Sequence, residues 1–101
     1  MARVIPTQAA RDDLVAIRLY SIEQFGPAIA DEYFLGFDLA FDLLFSYPLA
    51  GSATPEYGKA YRCLIHRKHR IFYAVENEVV RIVRILHHAM DAKQALKEAR
   101  K

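Results

Sequence analysis

The stretch Lys59–His88, KAYRCLIHRKHRIFYAVENEVVRIVRILHH, decides how this chain folds. Ala60–Ile65 and Arg70–Val75 flank the polar connection His66-Arg67-Lys68-His69, and Val79–His87 follows a turn at Glu76-Asn77-Glu78. Runs of this length, rich in Val, Ile, Tyr and Phe and joined by short polar turns, predict three consecutive antiparallel strands. Val79–Leu86 is almost continuously β-branched or aliphatic, which predicts a central strand with a neighbour on each side. Arg81 and Arg84 interrupt it, and their odd and even numbers predict opposite faces of the sheet.

Upstream of the strands the period changes from two to about four. Arg3-Val4-Ile5 before Pro6 predicts a first strand, and Thr7 is placed to cap a helix running from Gln8 to Phe25. Gly26-Pro27 ends that helix. Ala10, Leu14, Ile17, Ser21 and Phe25 form its predicted inner stripe. A second helix is predicted from Ala28 to Tyr47, stopping before Pro48, with Ile29, Tyr33, Phe37, Phe41 and Leu44 facing inward. Phe34 and Phe45 widen that apolar arc beyond the roughly 100° that one contact face needs. The helix therefore packs on two sides or offers an aromatic surface to another chain. Pro48–Gly58 reads as a loop, and Asp91–Lys101 as a short helix or a charged tail. The expected fold is α+β: one domain over residues 1–101, ordered β-α-α-β-β-β with a short C-terminal helix or tail. In it an αα hairpin covers one face of a largely antiparallel sheet.

Composition narrows the function classes. The chain of 101 residues is 53% hydrophobic, high for a small domain, so an apolar patch that meets a partner is expected. No run approaches the ~18 apolar residues of a membrane span, and the N-terminus meets charge at once, unlike a signal peptide. One cysteine, Cys63, excludes an internal disulfide and suits a reducing compartment, so a cytoplasmic location is expected. The net charge of +2 conceals a division. Residues 1–58 hold three Lys/Arg against eight Asp/Glu, a balance of −5, whereas residues 59–101 hold eleven against four, a balance of +7. The basic half could receive an acidic peptide, an acidic protein or a phosphate backbone.

Candidate chemistry is sparse. Cys63 and His66 lie three apart on a strand and so point to opposite faces, which argues against a thiol–imidazole pair. His66, His69, His87 and His88 lack the Cys or carboxylate partners of a metal site, so no metal and no cofactor are expected. Within a basic cluster that includes Arg62, a metal-independent RNase could be assembled from Arg70 as transition-state charge stabiliser and His87 or His88 as acid or base. Otherwise catalytic residues are expected to be none.

The combination of residues resembles a known group. Ala10, Asp13-Leu14, Ile17, Tyr20, Gly26, Ala30, Tyr33, Leu44, Pro48 and Gly51 carry the first half of the pattern. Tyr61-Arg62, His69-Arg70-Ile71-Phe72-Tyr73, and Arg84-Ile85-Leu86-His87 followed by Met90-Asp91 carry the second. Together they resemble the ParE branch of the RelE/ParE superfamily of type II toxin–antitoxin toxins. The resemblance implies a non-enzymatic toxin that inhibits DNA gyrase by stabilising its cleaved-DNA complex. It also implies a ParD-like antitoxin as partner, with DNA met only through antitoxin or gyrase and no membrane involved. The RelE branch instead cuts mRNA on the ribosome. Against that alternative, the C-terminal stretch offers no tyrosine, and Ala89 stands about where an arginine is expected. A further alternative is an inactive toxin fold retained for antitoxin binding and operon regulation. On this reading the expected antitoxin contacts are Phe34, Phe37, Phe41, Phe45, Arg62, Arg70 and Arg84. The expected target contacts are Arg67, Lys68, His87, His88 and Asp91.

Overall fold

The computed structural model describes residues 2–99; Met1, Arg100 and Lys101, the last two within the predicted tail, lie outside the described residues. Strand β1 (Arg3–Pro6) leads through Thr7 into helix α1 (Gln8–Phe25). The Thr7 hydroxyl accepts the Ala10 N–H at 3.1 Å, as a capping threonine should, and itself donates to the Val83 carbonyl at 2.9 Å. Gly26, at φ +87°, breaks α1, and Pro27 opens helix α2 (Pro27–Ser46).

The predicted strands follow as β3 (Tyr61–His66), β4 (His69–Glu76) and β5 (Val79–His87), after a two-residue strand β2 (Ser52–Ala53). The sheet runs β1-β5-β4-β3-β2, with β1 parallel to β5 and every other pairing antiparallel. The α+β order is the expected one, and β5 has a neighbour on each side along its first half. The 48–58 loop is more ordered than its composition predicts. It contributes β2 and a 3-10 turn at Pro55–Tyr57. Gly51 anchors it: its N–H donates to the Tyr73 hydroxyl at 2.8 Å, and its carbonyl accepts from Arg62 at 2.7 and 3.1 Å. A Cβ at position 51 would stand 2.7 Å from the Cys63 carbonyl and from the Tyr73 hydroxyl, so only glycine fits.

Helix α3 (Ala92–Ala99) follows the sheet, and both faces of the sheet are therefore covered. On one face α1 and α2 pack over Ile71, Tyr73, Val80, Ile82 and Ile85 around Phe37 and Leu44. On the other, Ala92, Ala95 and Leu96 of α3 close over Phe72, Val83 and Leu86. The C-terminal segment is thus a docked amphipathic helix, because three of its few apolar residues fall on one side. Each fully buried large side chain in these cores contributes about 1.5–3 kcal/mol of transfer free energy.

A β-bulge supplies the second face. Tyr73 pairs with Ile82 and Phe72 with Arg84, leaving Val83 as the extra residue. The insertion shifts the alternation, so Ile82 and Ile85 both face the hairpin while Val83 and Leu86 both face α3. It also corrects the parity prediction for the arginines: Arg81 pairs with Ala74 and Arg84 with Phe72, two positions on the same face. Two residues of the predicted inner stripes are corrected as well. Phe25 is 61% exposed and Ile29 53%, because α1 and α2 run past the end of the sheet there.

Helix and sheet are also joined by His66. Its Nε2 lies 3.0 Å from the Tyr33 carbonyl, and its ring packs against Tyr33 and Phe37 at 4.7 Å each. Gly36 makes this approach possible, since a Cβ there would stand 2.1 Å from the imidazole.

Candidate functional site

Two corners of the sheet concentrate charge, and they are built differently. The first lies where β1 stops pairing and leaves the second half of β5 with an open edge. Thr7 takes the Val83 carbonyl, and the Asp13 carboxylate accepts the Ile85 N–H at 2.9 Å. Arg84 turns round that edge and grips the same carboxylate with Nε and Nη2 at 2.7 and 2.8 Å. Both side chains are less than one-fifth exposed. The bond to Asp13 raises the Arg84 pKa, against the lowering effect of burial. Arg84, expected at an antitoxin contact, is therefore committed to holding α1 on β5. Asp13 was legible only as a polar residue away from the helix's inner stripe. Its one hint was its place in the family-like pattern, since a partner 71 residues away leaves no local trace.

The second corner is the β3–β4 turn with the strand ends beside it. His66 pairs with His69 across the turn, and His69 with His87 on β5. His69 Nδ1 meets the Tyr33 hydroxyl at 2.6 Å, its ring lies 5.5 Å from that of His87, and His87 lies 4.3 Å from His88. Burial, then the charges of His87, His66 and His88, push the His69 pKa down to about 4, with Asp13 opposing weakly. His69 is thus neutral at physiological pH. Burial also raises the Tyr33 pKa, so its hydroxyl keeps a proton that it can donate to Nδ1. The His87 pKa is lowered by desolvation first and then by His88, Lys68 and Arg70. Arg67, held at φ +52°, lies over the Tyr33 ring at 5.7 Å. Lys68 is exposed, and its carbonyl accepts the His88 N–H at 2.8 Å. Among the described residues the ion pairs are Arg18–Asp31 and Arg84–Asp13, so the Arg67 and Lys68 charges are left uncompensated.

Beside this turn opens a cavity of about 320 Å³. Tyr20, Phe25 and Ile29 form an apolar wall, Ser21 and Tyr33 its base, and Arg67, Lys68, His69 and His87 the polar rim. The exposure of Phe25 and Ile29 now has a structural meaning, because they line this cavity in place of the core.

The other expected site residues are dispersed. Arg62 shares the face of its cross-strand partner Tyr73 and donates to Gly51 and Leu49 carbonyls. Arg70 shares the face of Phe72, over whose ring it lies at 5.4 Å, and donates to the Met90 carbonyl at 2.9 Å and to that of His87 at 3.3 Å. Its buried Nε has no hydrogen-bond partner among the described residues. Arg62 and Arg70 thus stand on opposite faces and do not converge. Asp91 caps α3 by accepting the Gln94 N–H at 3.1 Å. Of the aromatic residues expected at an antitoxin surface, Phe37 is a core residue at 1% exposure, which removes it from any surface. Phe34 and Phe41 are half-buried, and Phe45 is exposed. The outward row on α2 is aliphatic instead: Leu35, Leu39 and Leu43, at 57%, 60% and 41% exposure. Their i, i+4 spacing was the signal available in the sequence.

Cys63 and His66 occupy opposite faces, as alternation requires, and burial raises the Cys63 pKa. Among the described residues no cluster of three or more His, Cys, Asp or Glu is arranged to hold a metal ion. None of their helices is long and apolar enough to cross a membrane.

Comparison with known proteins agrees with this architecture. A family model described as ParE toxin of the type II toxin–antitoxin system, parDE, matches residues 4–92. Among solved structures, a chain from the chromosomal ParDE toxin–antitoxin system of P. aeruginosa shares the fold with a TM-score of 0.75 at 21% sequence identity. The similarity covers 86% of this chain and 96% of that one. No curated protein matches. The family match begins in β1 and ends at the first residue of α3, taking in the helical hairpin and the five-stranded sheet, and the chain belongs to the ParE toxin family of type II toxin–antitoxin systems.

Proposed function

We propose that this protein poisons DNA gyrase by stabilising the complex in which the enzyme holds cleaved DNA, and that a ParD-like antitoxin keeps it inactive. The observation that carries the reading is the ParE family pattern across residues 4–92. The arrangement of cations supports a toxin that works by binding and not by catalysis. An RNase concentrates its cations on one scissile phosphate. Here Arg62 and Arg70 lie on opposite faces and are engaged with main-chain carbonyls.

The leucine row on α2 supports an antitoxin partner. Three leucines at i, i+4 spacing form a line on which an amphipathic segment can lay its apolar side. Asp38 and Asp42 lie on the same exposed stretch of helix, so a segment with basic flanks fits best. Purified protein added to gyrase and supercoiled plasmid is expected to accumulate linear DNA, and added antitoxin to prevent it. Intact gyrase activity together with codon-linked mRNA cuts would overturn the reading in favour of a nuclease. Antitoxin binding with neither activity would favour a purely regulatory role.

A further inference from the structure

We infer that the cavity beside the β3–β4 turn receives a partner peptide segment that presents a large apolar side chain next to a carboxylate. This rests on the reading above only for which protein carries the segment. The wall selects the apolar part: Tyr20, Phe25 and Ile29 are 61%, 61% and 53% exposed and converge on one hollow. Its volume of about 320 Å³ lies at the small end of ligand pockets, roughly 300–1,000 Å³, and admits one large side chain with its neighbours.

The rim selects the charge. Among the described residues Arg67 and Lys68 have no ion pair, and Tyr33, His69 and His87 add hydrogen-bonding groups on the same side. A polyanion is a poor fit, because it needs cations along a track. On the helical side the track ends: no Lys or Arg occurs between Arg18 and Lys59, so α1 beyond Arg18 and all of α2 offer only acidic charge. A single carboxylate needs no track.

An anion at the rim also reverses the field around the histidines. His69 faces Tyr33 from α2, His66, Arg67 and Lys68 from its own hairpin, and His87 and His88 from β5. Among the described residues Asp13 is the carboxylate that opposes this lowering of the His69 pKa, and Arg84 already holds it. A bound carboxylate stabilises protonated imidazole, so binding takes up a proton and strengthens as pH falls from 7 to 5.

The test is fluorescence anisotropy with a fluorescein-labelled peptide of sequence Glu-Leu-Phe-Glu. The comparisons are Gln-Leu-Phe-Gln, Glu-Ser-Ser-Glu and a labelled single-stranded oligonucleotide. The first peptide is expected to bind at least ~10-fold more tightly than the other three, and more tightly at pH 5 than at pH 7. The double variant Arg67→Glu/Lys68→Glu, on an exposed turn, should weaken it at least ~10-fold, while Lys59→Glu leaves it unchanged. Equal binding of the amide peptide, tighter binding of the oligonucleotide, or indifference to the double variant would each overturn the inference. Competition by a ParD-like antitoxin separates the two proposals. Peptide binding that the antitoxin does not displace keeps the site and removes the antitoxin as its occupant. Antitoxin binding insensitive to the double variant, with no peptide binding, removes the site and keeps the antitoxin.

Discussion

The Asp13–Arg84 corner and the Arg67–Lys68 corner lie on the same sheet, but their charges do opposite things. At the first, the arginine and the carboxylate satisfy each other and cap the open edge of β5. At the second, two cations face a cavity without a carboxylate partner among the described residues, and the histidine beside them is kept neutral by burial. Charge at the first corner builds the fold, and charge at the second is available to a partner. Mutation and pH should separate the two roles.

The largest effect is expected at the paired corner. Asp13→Ala removes the partner of a largely buried guanidinium and leaves the Ile85 N–H without an acceptor. Such losses cost roughly 2–4 kcal/mol, measurable by urea unfolding. Arg84→Met in the same background should recover part of this, because it removes the stranded charge. If Asp13→Ala cost no more than an ordinary surface substitution, the corner would not be structural.

Gly36→Ala comes next, and its sign is the informative part. Alanine improves helix propensity by about 1 kcal/mol over glycine. Its Cβ, however, would meet the His66 imidazole at 2.1 Å. A net destabilisation of roughly 1–3 kcal/mol is expected in thermal melts, as for other overpacked sites. His66→Ala added to Gly36→Ala should restore the propensity gain, though it loses the imidazole's own packing. A stabilised single variant would mean that His66 leaves the helix surface freely.

How far the two corners could be read in advance follows from the range of their interactions. Local signals carried the architecture: period-two runs gave the strands, Thr7 and Gly26-Pro27 bounded α1, and Pro48 ended α2. Long-range contacts were opaque. The bulge at Val83 depends on how β4 meets β5, so parity assigned Arg81 and Arg84 wrongly. Phe25 and Ile29 fit the inner stripes by spacing, yet helix periodicity cannot show where the sheet beneath ends. Asp13 is drawn inward by a distant arginine that no local pattern shows, whereas Phe37 faced inward by its spacing and only its assignment as an antitoxin contact failed. Arg67 and Lys68 were placed correctly on a turn because a polar connection between two strands is a local feature. Their uncompensated charge became visible only with the fold.

Acidification should reveal the neutral histidine. His69 titrates at about 4 in the folded chain and near 6.5 when unfolded, so between those values the unfolded chain binds more protons. Its contribution to stability is therefore intact above pH 6.5 and declines as pH falls toward 4. His69→Asn, which keeps a polar group near Tyr33, should flatten that part of the stability–pH curve obtained from urea unfolding at stepped pH. An unchanged slope would assign the titration to other groups.

The smallest stability effect is expected where the binding effect is expected to be largest. Arg67 and Lys68 are exposed and have no ion pair among the described residues, and Lys68 stands with Arg70 near His87. Replacing both by Gln, an unbranched residue like the two it replaces, should change folding stability by no more than about 1 kcal/mol, the main loss being the Arg67 contact with the Tyr33 ring. The same change should weaken peptide capture at the cavity and leave the Asp13→Ala penalty untouched, since the Asp13 carboxylate is bonded to Arg84 and the Ile85 N–H and to neither Arg67 nor Lys68. A loss of stability comparable to that of Asp13→Ala would mean that both corners are built for the fold, and the division between them would fail.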